Sequence, residues 1–409
     1  MKILLLGEYS NVHTTLAEGL RALGHSVIVA SDGDGWKDYP RDVDLRRTSQ
    51  NPFYTLLYIC RLWRQFRRFR GYDVVQLINP VFLPLKAERI WPFYAYLRKH
   101  NRRVVLGAFG MDYYYVKACL DCRTFRYSDF NFGDVVRHYP TADAFRRDWY
   151  DGPKGRLCQR IAADCDGIVA GLYEYWASYR QETELSRKLT FIPFPASPPA
   201  PHQGERGVEC SDVESQDGGR PAVDSTPLSK RRGAGGEAGA GAAPSPIRFF
   251  IGIQRGKEEY KGTDVMLRAL ERVAAEVPER CRIVKVESVP FEEYKRLLDG
   301  SDVLLDQLYS YTPAMNALEA MAHGIVVVSG GEPENYEILG ETQLRPIVNV
   351  LPDEEDVYQK LRALADHPQD VARRKQESLE YIRRHHDHLK VAGEYLAFWQ
   401  DLKPASELL

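Results

Sequence analysis

The sequence predicts two doubly wound α/β domains, each a parallel sheet covered by helices on both faces, with a central cleft between them. The chain has 409 residues, too many for one ordinary core. Short apolar runs without period-two alternation recur between helical stretches, as expected for strands buried on both faces. One segment rich in Gly, Ala, Pro and Ser, residues 198–246, interrupts this pattern, which then restarts.

Lys2–Leu6 reads as the first buried strand. A helix over Thr14–Leu23 follows, with Leu16, Leu20 and Leu23 on one face and Gly24-His25 as its stop. Ser26–Ala30 is the second strand. Further strands are expected at Asp73–Ile78, Arg103–Gly107, Gly167–Ala170 and Leu189–Ile192, with a helix around Lys86–Lys99. Residues 198–246 lack periodicity and cannot bury enough apolar surface to offset chain entropy, so a disordered linker is expected. Beyond it, strands are expected at Ile247–Ile251, Arg282–Val286, Val303–Leu305, Ile325–Val328 and Ile347–Val350. Helices fit Thr263–Val273, Phe291–Leu298, Ala314–His323 and Glu354–Ala365, and Gln369–Leu402 reads as helical throughout. The domains are therefore placed at 1–197 and 247–385, with 386–409 a C-terminal helix packing back on the first. Ligands of such sheets bind beyond the carboxyl ends of the strands.

The formal net charge of −2 hides an asymmetry. Residues 1–197 hold 29 Lys+Arg against 21 Asp+Glu, a net of +8, and the remainder holds 26 against 36. A basic first half points to an anionic partner. Its densest stretch, Cys60–Gly71, combines Arg61, Arg64, Arg67, Arg68 and Arg70 with Leu62, Trp63, Phe66 and Phe69. On a helix Leu62, Phe66 and Phe69 share the core face. The arginines spread over the other faces, either as a solvated surface or as one attracted to anionic lipids. No nucleic-acid motif accompanies the charge, so no nucleic-acid partner is expected. No apolar run approaches the ~20 residues of a bilayer span. The start, Met1–Gly7, reads as a strand rather than a signal peptide, and seven cysteines are expected to stay reduced in a cytoplasm. Cys119-Leu-Asp-Cys122 has metal-compatible spacing, but no second tight pair or nearby His completes a ligand set, so no metal is expected.

The densest chemical signal is Tyr309-Ser-Tyr-Thr-Pro-Ala-Met-Asn-Ala-Leu-Glu-Ala-Met-Ala-His-Gly324. Thr312 reads as an N-cap and Pro313 as the first helical residue. The N–H groups of Ala314, Met315 and Asn316 would then face the cleft, where a helix start suits a diphosphate. Glu319, further along the same helix, is placed to accept from a ribose diol, although an ordinary surface glutamate would give the same pattern.

The segment Leu318–Gly330 resembles the donor-site helix and following strand of the family four retaining glycosyltransferases, which have the two-domain, Rossmann-like GT-B fold. The resemblance implies that Glu319 holds the nucleotide ribose. The family's first glutamate, which touches the transferred sugar, falls at Tyr311 here, so Tyr311 and Thr312 join the donor set by position. Phe250-Ile-Gly-Ile-Gln-Arg-Gly-Lys-Glu-Glu-Tyr-Lys-Gly-Thr-Asp264 resembles the family's first strand and loop of the second domain. It implies Gly252 beside the donor, with Arg255 and Lys261 gripping the diphosphate. Fixed cations there would stabilise the charge that builds as it leaves. Gly330-Gly-Glu-Pro-Glu-Asn-Tyr-Glu337 resembles the Gly-Gly loop near the donor, with helix capping an equal reading for Glu332 and Glu334.

In the first domain, Gly7-Glu-Tyr-Ser-Asn-Val-His13 resembles the loop near donor phosphate and acceptor, which puts Gly7, Glu8 and His13 on the acceptor side. Phe109-Gly-Met-Asp112 resembles the family's His-Gly-x-Asp, with Phe109 in place of the His and Asp112 retained as a catalytic group. A single glycine in the first loop excludes the Gly-x-Gly-x-x-Gly dinucleotide fingerprint, and no cofactor is expected. The resulting expectation is a retaining, metal-independent transfer from a nucleotide sugar to a saccharide or lipid-linked saccharide. The enzyme would be cytoplasmic and peripheral on the inner face of a membrane. A GT-B-fold sugar-nucleotide epimerase and a degenerate transferase that only binds sugar nucleotide remain as alternatives.

Overall fold

The computed structural model describes residues 1–49, 51–197 and 245–402, with Pro52 described by its backbone alone. Apart from Ser245 and Pro246, the segment expected to be a disordered linker lies outside the described residues. The first half contains β1 (Lys2–Leu6), β2 (Ser26–Ser31), β3 (Val43–Asp44), β4 (Val74–Leu77), β5 (Val104–Ala108), the hairpin strands β6 (Asn131–Phe132) and β7 (Val135–Val136), β8 (Gly167–Ala170) and β9 (Leu189–Phe191). Its helices are α1 (Val12–Ala22), α2 (Pro52–Phe66), α3 (Trp91–His100), α4 (Tyr113–Leu120), α5 (Pro140–Phe145), α6 (Pro153–Asp164), α7 (Tyr173–Arg180) and α8 (Thr183–Ser186). The second half contains β10 (Ile247–Ile253), β11 (Cys281–Glu287), β12 (Val303–Leu305), β13 (Val326–Ser329) and β14 (Val348–Asn349). Between and after these strands run α9 (Glu258–Lys261), α10 (Thr263–Glu276), α11 (Phe291–Asp299), α12 (Met315–Ala322), α13 (Pro333–Leu339), α14 (Glu354–Asp366), α15 (Pro368–Tyr381) and α16 (His388–Asp401).

Two parallel sheets result. The first has the order β3-β2-β1-β4-β5-β8-β9 and the second β11-β10-β12-β13-β14. Ile3 pairs in register with both Val27 and Val74, so β1 sits centrally with its residues Ile3 to Leu6 fully buried. Alternation along β10 divides the second core. Phe249 and Ile251 pack with Met266, Leu270 and Leu361 from α10 and α14, while Phe250 joins Leu304, Val327 and Leu318 on the opposite face. That second face is continuous with the core of the first half, through Met315, Tyr311 and Tyr336.

Three expected elements differ. The first helix starts at Val12 rather than Thr14, because Ser10 and Asn11 take left-handed φ values of 50° and 73° and turn the chain into it. The helix expected over Lys86–Lys99 is split into a short 3₁₀ turn at Ala87–Arg89 and α3, with Pro92 in its first turn. The long final helix is broken as well. A π turn spans Ile382–His386, and Asp387 starts α16 by accepting from Leu389 N–H and Lys390 N–H at 3.0 Å. Helix α16 packs on α1 so closely that a Cβ on Gly19 would stand 2.3 Å from the His388 carbonyl oxygen.

Candidate active site in the interdomain cleft

The carboxyl ends of the two sheets face one another across a cavity of about 150 Å³. From the first half it is lined by Tyr9, Ser10, Tyr115, Asp129, Glu174 and Tyr175. From the second it is lined by Tyr260, Lys261, Tyr309, Ser310, Ala314 and Met315. Of the residues read from the sequence as site residues, Lys261, Ala314 and Met315 lie on this cavity. Lys261 Nζ forms no hydrogen bond or ion pair among the described residues. Lys257 stands nearby, and burial lowers its pKa, with the charges of Lys261 and Lys37 pushing the same way. Lys37 is itself paired with Asp34 at 2.7 Å, which leaves Lys257 and Lys261 as the neighbouring cations at this end of the cavity.

The helix carrying Glu319 starts later than expected. Ala314, not Thr312, is the N-cap residue, and α12 begins at Met315. The reason is a competing partner. Thr312 Oγ1 donates to Oε2 of Glu174 at 2.5 Å, and the Thr312 and Tyr311 N–H groups donate to Oε1 at 3.1 and 2.7 Å. These three bonds, two of them from backbone N–H groups, tie Tyr311 and Thr312 to α7 as a loop, and the helix starts after them. Tyr311 is 2% exposed among Phe125, Tyr127 and Tyr173, with its hydroxyl accepting from Arg126 N–H at 2.6 Å. Asn316 is also engaged: its Nδ2 donates to Asp306 Oδ1 at 2.8 Å and its Oδ1 accepts from Tyr294 Oη at 3.0 Å. The ring of Tyr294 explains Gly252, where a Cβ would sit 2.7 Å from Cε2.

Glu319 itself is half-buried and its carboxylate forms no hydrogen bond or ion pair among the described residues. Burial raises its pKa, with the charges of His323 and Lys295 opposing. Arg255 lies outside the cavity, exposed, with Nε donating to Glu287 Oε1 at 3.1 Å.

The first-half residues are deeper than the sequence indicated. Glu8 is buried and caps α1, accepting from His13 N–H at 3.2 Å and from Thr14 N–H and Oγ1 at 2.9 and 2.8 Å. Burial pushes its pKa up to about 7 despite these donors. His13 is fully buried and burial lowers its pKa to about 4, which leaves a neutral ring at pH 7. Its Nδ1 bonds the Gly7 carbonyl at 2.8 Å, and its Nε2 has no partner among the described residues. Gly7 has φ +87° and would place a Cβ 2.2 Å from Ile78, so no other residue fits this turn. Asp112 is fully buried at the N-terminus of α4. Its Oδ1 accepts from Tyr115 N–H at 2.9 Å and its Oδ2 from Tyr179 Oη at 2.8 Å, and burial raises its pKa to about 6. It is absent from the cavity lining.

A segment without sequence signal, residues 121–145, joins the halves. Arg126 Nη2 donates to Glu332 Oε2 at 2.8 Å, its Nη1 bonds Glu334, and the guanidinium lies 4.8 Å from the Tyr311 ring centre. Tyr127 Oη donates to Glu332 Oε1 at 2.5 Å. Arg137 stacks 3.6 Å from the Tyr309 ring and donates to the Glu259 carbonyl. Glu332 and Glu334 therefore hold the first half, rather than capping α13 with their side chains. Among the described residues, no group of three or more His, Cys, Asp or Glu side chains is arranged to hold a metal, and no helix is long and apolar enough to cross a membrane.

The chain shares its fold with solved GT-B proteins. The match to HepE of Anabaena, solved with UDP and glucose, covers 98% of this chain and 100% of that one, with TM-score 0.55 and 11% identity. The match to sucrose-phosphate synthase of Thermosynechococcus elongatus covers 98% and 99%, with TM-score 0.57 and 12% identity. WaaG, a glycosyltransferase involved in lipopolysaccharide biosynthesis, matches over 98% and 100% with TM-score 0.53 and 11% identity. No family model matches the chain, and no curated protein matches it in sequence.

Proposed function

We propose that this chain is a glycosyltransferase that moves a sugar from a nucleoside diphosphate sugar to a saccharide or lipid-linked saccharide acceptor in surface polysaccharide synthesis. The observation that carries the reading is the unpaired Lys261, set on the cleft cavity beside Ala314 and Met315 at the head of α12. A cation and a helix N-terminus facing one cavity suit a departing diphosphate, whose charge grows in the transition state. Lys257 adds to that field, and Arg255 can join it by releasing Glu287. Glu319, unpaired on the same helix, receives the ribose hydroxyls. These cations and amide dipoles stand in for a metal, and retention at the anomeric carbon follows from the resemblance of the Glu319 segment. The acceptor enters from the side of Gly7, Glu8 and His13. Asp112 acts by holding α4 rather than by touching substrate.

Helix α2 supports a membrane-bound acceptor. Phe53, Leu56 and Leu57 are 87%, 67% and 68% exposed, and Arg61, Arg64, Arg67 and Arg68 follow on the same outward face. An apolar patch continued by four cations suits the headgroup layer of an anionic bilayer, where the enzyme would sit on the cytoplasmic surface.

Calorimetry with UDP-, GDP-, ADP- and dTDP-sugars tests the donor assignment. Glu319→Ala and Lys261→Ala should each weaken the bound nucleotide sugar about 10- to 100-fold, the range for losing a hydrogen bond to a charged group. Wild-type affinity in both variants would refute it. Turnover of the donor to an isomer without any acceptor would replace transfer by epimerisation.

A further inference from the structure

We infer that the cleft cavity is the subsite for the transferred sugar, that Asp129 accepts hydrogen bonds from the sugar's hydroxyls, and that the site admits neutral sugars and rejects uronates. The inference rests on the proposed function and extends it to the sugar. At about 150 Å³ the cavity has room for a ring-sized group. It is well below the ~300–1,000 Å³ typical of sites that enclose drug-sized ligands, so the nucleotide must lie outside it. Lys261 and the head of α12 border the cavity, which puts the group bound there next to the diphosphate.

The lining alternates aromatic faces with hydrogen-bonding groups, as a sugar ring alternates C–H faces with hydroxyls. Tyr9, Tyr115, Tyr175, Tyr260 and Tyr309 supply the rings. Asp129 Oδ2 accepts from Tyr115 Oη at 3.0 Å and the carboxyl is also bonded by the Tyr260 hydroxyl, so it is aimed rather than free to rotate. Burial pushes its pKa up to about 7, against the Tyr115 and Tyr260 hydroxyls and the charge of Arg137, which lower it. Ser310 Oγ, on the same lining, is buried without a partner among the described residues and is available to a ligand hydroxyl.

Glu174 has a different part. Its oxygens already accept from Tyr311 and Thr312, so it is a positioning residue that fixes the loop carrying Ser310. Its charge nevertheless remains on the cavity and raises the pKa of Asp129 further. A sugar bringing its own carboxylate would add a third carboxyl group to a space whose lining cation, Lys261, is committed to the diphosphate, and crowding like charges there is unfavourable. The carboxylate missing at Tyr311 is thus supplied from the opposite side of the cleft.

The full-length protein would be titrated calorimetrically with the four nucleoside diphosphates, then with the hexose and hexuronate esters of whichever base binds. The hexose ester should bind at least ~10-fold tighter than the hexuronate ester. Asp129→Asn should lower the affinity for the hexose ester ~10- to 100-fold while leaving the bare diphosphate unchanged. Ser310→Ala should act in the same direction and provides a second variant if Asp129→Asn folds poorly. Equal or tighter binding of the hexuronate ester, or a hexose ester indifferent to both substitutions, would overturn the subsite. A variant that alters only the acceptor's apparent affinity would overturn it too. If no nucleoside diphosphate binds the wild-type protein, the donor reading and the subsite fall together, which separates that failure from loss of sugar discrimination alone.

Discussion

Glu174→Gln and Thr312→Val, made singly and together, probe the buried contact that joins the two halves at the cavity. Glu174 sits on α7 of the first half and accepts three hydrogen bonds from the second, at 2.5, 2.7 and 3.1 Å. Gln keeps the shape and its oxygen can still take both N–H donors, but the charge assistance is lost and an NH₂ group now faces the Thr312 hydroxyl. Hydrogen bonds to charged groups contribute about 1.5–3 kcal/mol and neutral ones about 0.5–1.5 kcal/mol. Burial already disfavours the Glu174 anion and raises its pKa, which offsets part of the loss. The expected net destabilisation is about 1–2 kcal/mol for Glu174→Gln and about 1.5–3 kcal/mol for the near-isosteric Thr312→Val. Because both remove the same bond, the double variant should be less destabilised than the sum by about 0.5–3 kcal/mol. Equilibrium urea unfolding read by tryptophan fluorescence suits the measurement, since Trp176 lies on the same helix as Glu174. Additivity within about 0.3–0.5 kcal/mol, the behaviour of unconnected sites, would refute the contact and the loop position built on it.

Three further outcomes follow from the same geometry. Glu8 has a folded pKa of about 7 against an ordinary 4.5, so its contribution to stability is complete below about 4.5 and lost as pH rises through about 7. Glu8→Gln should therefore flatten the fall in unfolding free energy between pH 5 and pH 8 by up to about 3 kcal/mol, and an unchanged slope would show the carboxyl to be solvated. Arg126→Ala removes the partner of the buried Glu332 and of Glu334, yet Tyr127 and Asn349 still donate to Glu332. Because the arginine itself is more than half exposed, the loss should be only about 1–2 kcal/mol, read as a lower urea midpoint. On and just beyond helix α2, Phe53→Ser with Leu57→Ser, and separately Arg64→Glu with Arg68→Glu, should each reduce sedimentation with phosphatidylserine vesicles at least ~10-fold, since burying an apolar side chain contributes about 1.5–3 kcal/mol and each basic residue near such a surface about 1 kcal/mol. Vesicle binding unaffected by either pair would leave the face without a membrane role.

How much of this was legible in the sequence depended on whether a signal was local. The runs Lys2–Leu6, Gly167–Ala170 and Val303–Leu305 appear as strands where expected because, past the exposed Lys2, burial on both faces leaves them without polar side chains. The segment 121–145 gave no such signal. Its short hairpin has almost no period, and its meaning comes from partners about two hundred positions away, as in Arg126 with Glu332 and Glu334. Thr312 shows a local signal displaced by a tertiary contact: the residue suits an N-cap, but a carboxylate from α7 binds the Tyr311 and Thr312 backbone N–H groups as a loop and the helix starts at Met315 instead. Asp112 and Glu8 carry contacts with no local signal: Glu8 accepts from two N–H groups and a hydroxyl at the start of α1, and Asp112 from Tyr115 N–H at the start of α4 and from the Tyr179 hydroxyl.

The same logic bears on Tyr311. Seen in sequence, a tyrosine where a sugar-contacting glutamate is expected looks like the loss of a function. In the fold, Tyr311 fills an aromatic cluster that fixes Arg126 and Tyr127 against the second half. An ionised side chain at that buried position would have to be desolvated beside Glu332 and Glu334. Keeping a glutamate there and closing the halves with Glu174, Glu332 and Glu334 are therefore competing solutions. With Tyr311 held in this contact, the carboxylate we propose for the sugar is the one on the facing wall, Asp129. The substitution that obscures the sugar in the sequence is, on this argument, the one that moves its recognition across the cleft.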